Sequence, residues 1–302
     1  MDVFYRLNTK GIETVKQNEI LIALSMAIFG TISLFVKAIP LSSGEIALFR
    51  ALLALVLIGG YLIATKNPLP LGKIRKALPV LFFSGAAMGI NWILLFEAYH
   101  YTSVSVATLS YYFAPVIVTA LCPVLFKEKL TKKQILCFIM STIGLVLIIG
   151  VSGLGEGKSD ITGVFFGLGA AVFYATVILL NKFIKDVSGI HRTFLQFASS
   201  AFVLLPYVLM TSGLHISALN AKGTICLLIV GLIHTGAAYI MYFSSLKELP
   251  GQKAAILSYI DPLISVVVSM LILKEAVTPL QIAGGALILL FTLINEIQLK
   301  KQ

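Results

Sequence analysis

Charged residues are scarce in this sequence. Only 12% of its 302 residues are Asp, Glu, Lys or Arg, whereas 58% are hydrophobic. An average soluble domain has about 25% charged residues, which it needs to cover its surface. The deficit excludes a soluble enzyme, a nucleic-acid-binding domain and a disordered tail. It predicts a polytopic membrane protein whose immediate partner is the lipid bilayer.

Sequence motifs for cofactors and catalysis are also missing. The three cysteines lie within apolar runs and form no C-x-x-C pair, which is typical of small core residues rather than of redox or metal sites. The chain has no G-x-x-x-x-G-K-[ST] segment for ATP and no H-E-x-x-H segment for zinc. We therefore expect no cofactor and no metal, and we predict that the protein is not an enzyme.

Long apolar runs make up most of the chain. A membrane-spanning helix needs about 20 mostly apolar residues, and these runs lack the polar alternation of barrel strands. The sequence therefore predicts an all-α integral membrane protein with ten transmembrane helices. The predicted spans are residues 19–39, 44–64, 77–99, 104–126, 133–150, 161–184, 192–211, 222–246, 253–273 and 279–297.

Positive charge is distributed unevenly between the predicted loops. Eighteen of the 23 Lys and Arg residues fall on the side of the N-terminus, four fall on the other side, and Arg50 lies within a span. Cytoplasmic loops are the ones enriched in Lys and Arg. The distribution predicts that both termini are cytoplasmic, with residues 1–18 as a cytoplasmic tail. Topology then accounts for the net charge of +10 without a nucleic-acid partner, and we expect the protein in the plasma membrane.

The second half of the chain repeats the first at an offset of 145–147 residues. Each half contains five predicted spans, an odd number, so the second half must insert in the opposite orientation. The prediction is two inverted five-helix repeats, residues 19–150 and 161–297, an architecture typical of secondary transporters. The clearest pairs, 147 residues apart, are Tyr112 and Tyr259, Pro115 and Pro262, Glu128 and Glu275, Thr131 and Thr278, and Gln134 and Gln281.

One set of residues in both halves carries a family resemblance. It comprises Phe29-Gly30, Lys37, Arg50, Pro115 and the Glu128-x-x-Thr131-x-x-Gln134 segment, which recurs from Glu275. On these residues the chain resembles the drug/metabolite transporter superfamily, in its EamA-like branch. The resemblance implies ten helices in two inverted bundles around a central cavity. It also implies transport of small metabolites, often export and usually without ATP, but it does not fix the substrate.

Asp261 is the first candidate for a functional site. A charged side chain at the centre of a bilayer costs about 2.5–3.5 kcal/mol, so such residues usually face a cavity or a partner. Asp261 lies near the middle of the ninth predicted span, directly before Pro262, which cannot donate a backbone hydrogen bond. We expect Asp261 to contact the substrate or to bind a proton. The alternative is a structural hydrogen bond to a neighbouring helix.

The other candidates are polar or aromatic residues within the predicted spans. We expect Pro115 and Pro262 to act as hinges or broken-helix elements, or else as static kinks. We expect Arg50 and Glu97 to form an ion pair or gate, or else to reach the membrane interface separately. His234 is a candidate proton relay, but a lone histidine within a span is more often a core residue whose hydrogen bonds are satisfied by its neighbours. The further candidates for substrate binding are Tyr112, Tyr259, Asn91, Trp92 and His234.

These patterns favour a secondary transporter, and more specifically an exporter, of small organic metabolites that are amino-acid-like or amphipathic. It would work by alternating access around a central cavity. The alternatives are an intramembrane lipid-modifying enzyme, a channel and a structural membrane subunit. The sequence leaves open whether coupling is to protons or to a counter-substrate, and it leaves the oligomeric state unknown.

Overall fold

The computed structural model describes residues 17–127, 129–152, 158–184, 187–246, 249 and 251–298. All regular structure within these residues is helical. Glu128 of the repeat and most of the predicted tail 1–18 lie outside the described residues. The helices are α1 (Gln17–Val36), α2 (Ser43–Ala64), α3 (Leu71–Tyr101), α4 (Val104–Tyr111), α5 (Ala114–Phe126), α6 (Lys132–Ser152), α7 (Lys158–Asn181), α8 (Gly189–Thr211), α9 (Ala221–Leu246), α10 (Gly251–Ser258), α11 (Ile260–Val267) and α12 (Pro279–Gln298).

Many of these helices are long enough to cross a membrane. In the described part of the chain, seven helical segments have the length and apolar composition of a span, and two shorter apolar segments cover Ile256–Ile272 and Pro279–Asn295. Large apolar side chains also point outward, and Phe83, Phe165 and Met210 are 64%, 68% and 85% exposed. Such a surface is suited to lipid rather than water. The protein is therefore an integral, multi-pass membrane protein, while the predicted number of ten spans stays a prediction.

Glycines allow the closest helix crossings. A side chain at Gly85 on α3 would overlap Ser199 and the Gln196 carbonyl on α8, and one at Gly231 on α9 would overlap Leu53 on α2. Small residues at such crossings let helix backbones approach each other, and van der Waals contact then stabilises the pair within a membrane. The helices are thus tied into one bundle by crossings that tolerate no side chain.

The predicted fourth and ninth spans are interrupted. The sequence predicts spans over 104–126 and 253–273 with an irregularity at the proline of each. The first span breaks between Tyr111 and Ala114 and the second breaks at Tyr259. Pro115 and Pro262 have no N–H to donate to the carbonyl four residues earlier, so the helix ends and restarts within one turn of each proline.

A third irregularity lies in α9. Residues Ile229–Ala237 form a π-helix, and Thr235 Oγ1 donates to the carbonyl oxygen of Val230, five residues earlier, at 2.7 Å. π-helical segments inside α-helices are often found at functional sites. Here the π-helix places Thr235 against the side chain of Arg50 on α2.

Candidate functional site

A central cavity of about 590 Å³ lies between the helices. Its wall is dominated by aromatic rings, with a few polar groups between them, which is the usual composition of a small-molecule site. The aromatic lining residues are Phe29, Trp92, Phe96, Tyr99, Tyr111, Tyr112, Tyr174, Tyr239, Tyr242, Phe243 and Tyr259. The charged lining residues are Arg50, Arg192 and Asp261.

Asp261 and Tyr112 meet in this cavity. The Tyr112 hydroxyl donates a hydrogen bond to Asp261 Oδ2 at 2.7 Å. Tyr112 directly follows the last residue of α4, and Asp261 is the second residue of α11, after the other break. The helix breaks therefore bring a carboxyl group and a phenol from opposite halves of the chain into contact. Tyr259, the repeat partner of Tyr112, lines the same cavity.

Arg50 forms the cationic part of the wall. Its side chain is only 4% exposed, and its Nε donates to Thr235 Oγ1 at 3.0 Å. The guanidinium carbon lies 4.2 Å from the centre of the Trp92 ring and 5.3 Å from that of Phe96. Trp92 and Phe96 are one helical turn apart on α3, so both rings can contact the same guanidinium, and such contacts are attractive.

The structure does not join Arg50 to Glu97. Glu97 instead accepts a hydrogen bond from Ser43 Oγ at 2.6 Å, at the start of α2, whereas Arg50 lies two helical turns further along that helix. Different partners therefore hold the two side chains in this conformation. A gate formed by the pair stays a prediction, and it would require another conformation.

Two further candidates lie outside the cavity wall. Asn91 donates from Nδ2 to the carbonyl oxygen of Ala170 on α7 at 2.6 Å and is buried. The ring of His234 is buried too, with Nε2 3.0 Å from Thr31 Oγ1. Both contacts connect neighbouring helices. Substrate binding by Asn91 and His234 stays a prediction, and their position outside the cavity wall does not support it. Of the two predicted hinge residues, Pro115 lines the cavity and Pro262 does not.

The sequence prediction missed a polar group on α8. Gln196 lines the cavity and donates from Nε2 to Ser84 Oγ at 2.6 Å and to Asn181 Oδ1 at 2.8 Å. Gln196 lies 146 residues after Arg50, so the repeat places these two polar residues at equivalent positions. Looking up the repeat position of Arg50 in the second half would have identified Gln196 from the sequence.

Glu275 and its donors form a second set of contacts, here called the Glu275 cluster, and its residue Val104 lies one helical turn before Thr108, which lines the cavity. Glu275 accepts from Lys37 Nζ at 2.5 Å, from the backbone N–H of Val104 at 2.8 Å and from Ser269 Oγ at 2.5 Å. The three donors belong to the end of α1, the start of α4 and the segment after α11. The cluster therefore ties three elements together at what we call the Lys37 end of the bundle.

The cavity extends toward the opposite end of α1. There Lys253 at the start of α10 pairs with Glu19 at the start of α1. Ala254, the next residue, lines the cavity, as do Leu246 at the end of α9 and Arg192 near the start of α8. We call this the Glu19 end, and the cavity-lining residues come close to it, whereas no residue of the Glu275 cluster lines the cavity.

Comparison with known proteins identifies the family. The model of the EamA-like transporter family matches twice, over residues 17–150 and 161–296. The chain belongs to the EamA-like transporter family. Its activity is therefore membrane transport rather than enzymatic catalysis.

Similar proteins carry the same general description. The transporter is 30% identical over 252 residues to a Bacillus subtilis protein named "Uncharacterized transporter YxxF", a match that covers 81% of this chain and 78% of the relative. It is also 30% identical over 285 residues to an "Uncharacterized transporter" of Archaeoglobus fulgidus, with 93% and 96% covered.

A solved crystal structure shares the fold. The similarity has a TM-score of 0.63 and covers 94% of this chain and 98% of the other, at 14% sequence identity. At this identity the similarity shows the fold alone. The arrangement of the EamA-like transporter described above therefore has an experimental counterpart.

Proposed function

We propose that this transporter exports small organic metabolites by alternating access around the central cavity. The observation that carries the proposal is the Tyr112–Asp261 hydrogen bond, which joins the two helix breaks inside an aromatic cavity. Broken helices at mid-membrane are the usual place for substrate in secondary transporters. The proposed substrate contacts are Asp261, Tyr112, Tyr259 and Trp92, and the substrate is amino-acid-like or amphipathic.

The proposed architecture is ten transmembrane helices in two inverted repeats, residues 19–150 and 161–297. Pairs of helix contacts support it. Gly85 packs against Ser199, and Gly231 packs against Leu53. Adding 146 to Gly85 gives Gly231, and subtracting 146 from Ser199 gives Leu53, so exchanging the two halves exchanges the two contacts. A two-fold axis between the repeats would produce this relation.

A second pair of contacts follows the same rule. Gly30 on α1 packs against Ile264 on α11, and Ala175 on α7 belongs to the cluster in which Ile117 of α5 also packs. Ile117 and Ile264 are 147 residues apart, and Gly30 and Ala175 are 145 residues apart. Two related halves of this kind can exchange conformations, which is the basis of alternating access.

The proposed cycle uses the helix breaks as hinges. Pro115 and Pro262 lie within the first turn after each break, where the missing N–H leaves the backbone with fewer internal hydrogen bonds. In the conformation described here, the cavity reaches the Glu19 end and the Glu275 cluster holds the Lys37 end. Opening the cavity at the Lys37 end would require these contacts to break.

The proposed orientation has both termini in the cytoplasm and the protein in the plasma membrane. Eighteen of the 23 Lys and Arg residues support it through their position in the predicted loops on the N-terminal side. In this orientation the Glu19 end faces the cytoplasm. The cavity of an exporter would then be open to its substrate in the conformation described here.

The experiment compares solutes released by cells that express the parent chain, Asp261→Asn or Glu19→Gln at matched membrane abundance. Glu19→Gln is the control, since it removes an acid that lies at the start of α1 and pairs with Lys253. A compound released with the parent and the control, but not with Asp261→Asn, supports the proposal. Equal release with Asp261→Asn overturns the role of Asp261, and no excess over empty cells contradicts export.

Solute flux and current, measured with the purified protein in vesicles, test the coupling and the mechanism. Flux that responds to an imposed pH gradient assigns protons as the coupling partner, and flux that requires solute on the far side assigns a counter-substrate. A current that rises linearly with voltage and does not saturate with solute would contradict alternating access and favour a channel. A complete absence of flux would favour a structural subunit.

A further inference from the structure

The guanidinium of Arg50 is buried without a carboxylate partner in the described residues. It is 4% exposed, and the only hydrogen bond found for it in this part of the chain is from Nε to Thr235 Oγ1. Its terminal nitrogens carry further donors, and the side chain lines the cavity. Removing a charged group from water is costly unless the group is paired and hydrogen-bonded. The cavity therefore contains cationic donors that a bound anion would satisfy.

The surroundings hold the guanidinium in one orientation. Trp92 and Phe96 contact its face from α3, and Thr235 holds Nε from α9. A guanidinium fixed in this way presents its remaining N–H groups as a fork, which matches the two oxygens of a carboxylate. Lysine would offer a point charge and no fork, so the arrangement favours a planar anion.

The opposite charge is found in the same cavity but is not paired with Arg50. Asp261 accepts from the Tyr112 hydroxyl, and no ion pair joins it to Arg50 among the described residues. The cavity wall thus presents one acidic group, Asp261, and two cationic groups, Arg50 and Arg192, with aromatic surface around them. Asp261 and the more deeply buried cation, Arg50, are not paired with each other, and together they are complementary to a ligand that carries both charges.

We propose that Arg50 binds the carboxylate of a zwitterionic substrate whose ammonium group contacts Asp261 and Tyr112, and whose apolar body lies against the aromatic wall. This inference rests on the proposed transport function and adds to it a substrate class and a specificity-determining residue. Arg50 is then a binding residue in the conformation described here. The site selects zwitterions over amines and over simple carboxylates.

The chain supplies its own probe for this site. Trp92 is the single tryptophan of the sequence, and its ring covers the guanidinium of Arg50. Its fluorescence in the purified, detergent-solubilised full chain therefore reports ligands at Arg50. The ligands are leucine, its amine analogue 3-methylbutylamine and its acid analogue 4-methylpentanoate. A second zwitterion, 6-aminohexanoate, with hexylamine and hexanoate as its analogues, covers a wider separation of the charges.

We expect at least one zwitterion to bind more tightly than both of its single-charge analogues, by about tenfold or more, because each analogue leaves a charged group of the cavity unpaired. Arg50→Gln should bring the zwitterion and its amine analogue to equal affinity. Asp261→Asn should bring the zwitterion and its acid analogue to equal affinity. Arg192→Gln is the matched control, because it removes the other cation of the wall, and it should retain the preference for the zwitterion.

Arg50→Lys is a second variant in case Arg50→Gln fails to fold. It keeps the positive charge and should retain a weaker preference for the zwitterion. The inference is overturned if neither zwitterion is preferred, if no ligand changes the fluorescence, or if Arg192→Gln rather than Arg50→Gln abolishes the preference. Solute release from cells separates this result from the proposed function. Release that persists without a zwitterion preference rejects the Arg50 site and keeps the exporter, and a preference without release does the reverse.

Discussion

The hydroxyl of Tyr112 lies 2.7 Å from Oδ2 of Asp261, although the two residues are 149 positions apart. Tyr112 directly follows α4 and Asp261 is the second residue of α11, so this hydrogen bond connects the two places where the helical backbone is broken. A rearrangement of either break would change the contact. The contact therefore links the conformation of the bundle to the polar centre of the cavity.

Tyr112→Phe should reduce transport through the loss of this hydrogen bond. A hydrogen bond to a charged group contributes about 1.5–3 kcal/mol, which corresponds to a tenfold or larger change in affinity or rate. Solute flux into vesicles measures the effect. If the hydroxyl acts through Asp261, the double variant Tyr112→Phe with Asp261→Asn should be no slower than Asp261→Asn alone. Additive losses would show that the two side chains act independently.

The fold was largely predictable from the sequence because the membrane imposes a simple pattern. A helix in lipid must satisfy its backbone hydrogen bonds internally, so continuous apolar runs indicate helices. The helix breaks were harder to place. Pro115 and Pro262 predicted an irregularity, but the ends of the helices at Tyr111 and Ser258 depend on the packing of neighbouring elements. Membrane helices often continue through a proline, and the sequence alone does not separate the two cases.

The candidate site was predicted only in part, for a reason of geometry. Asp261, Tyr112, Tyr259 and Trp92 line the cavity, as expected for polar and aromatic groups deep in the spans. Asn91 and His234 lie at similar depth but turn toward neighbouring helices. Depth along a helix follows from residue number, whereas the direction of a side chain depends on how the helices are rotated against each other. Arg50 and Glu97 have different partners in this conformation for the same reason, and the gate they would form stays a prediction.

Gly85→Ala should destabilise the protein, whereas Gly60→Ala should not. A Cβ at Gly85 would overlap the backbone oxygen of Gln196, but one at Gly60 would have no atom within 4 Å. Overpacking a close helix crossing costs about 1–3 kcal/mol. Alanine in place of an unhindered helical glycine instead stabilises by up to about 1 kcal/mol. Thermal unfolding in detergent measures both variants, and equal unfolding temperatures would contradict the crossing.

Glu45→Ala should destabilise the protein more than Ser42→Ala. Ser42 and Glu45 form a capping box at the start of α2, and Glu45 also accepts from the backbone N–H of His215 at 2.6 Å. Removing Ser42 Oγ costs about 0.5–2 kcal/mol of helix capping. Removing the Glu45 carboxylate, which is 1% exposed, leaves three partly buried donors without their acceptor, namely the N–H and hydroxyl of Ser42 and the N–H of His215.

Thermal unfolding again measures the difference between these two variants. Thr65→Ala is the control, because the exposed Thr65 hydroxyl bonds only within its own helix and should change stability by less than about 0.5 kcal/mol. A smaller loss of stability for Glu45→Ala than for Ser42→Ala would contradict a stabilising role of the hydrogen bond between Glu45 and the His215 N–H.

Glu275→Gln should make the cavity accessible from the Lys37 end. The Glu275 carboxylate accepts from Lys37, from the Val104 N–H and from Ser269, and a neutral amide would accept these bonds more weakly. The state that is open at the Lys37 end should therefore become more populated. A cysteine at Thr108, which lines the cavity, would report the change through its reaction with a membrane-impermeant maleimide added at that end.

The matched control for Glu275→Gln is Lys253→Gln, which removes the ion pair at the opposite end of α1. The three natural cysteines are replaced by serine first, so that only the introduced thiol reacts. Labelling from the Lys37 end should rise with Glu275→Gln and stay at the parent level with Lys253→Gln. Equal labelling in all three proteins would mean that the Glu275 cluster does not hold the cavity closed, because losing its charged acceptor would then leave the closed state as populated as before.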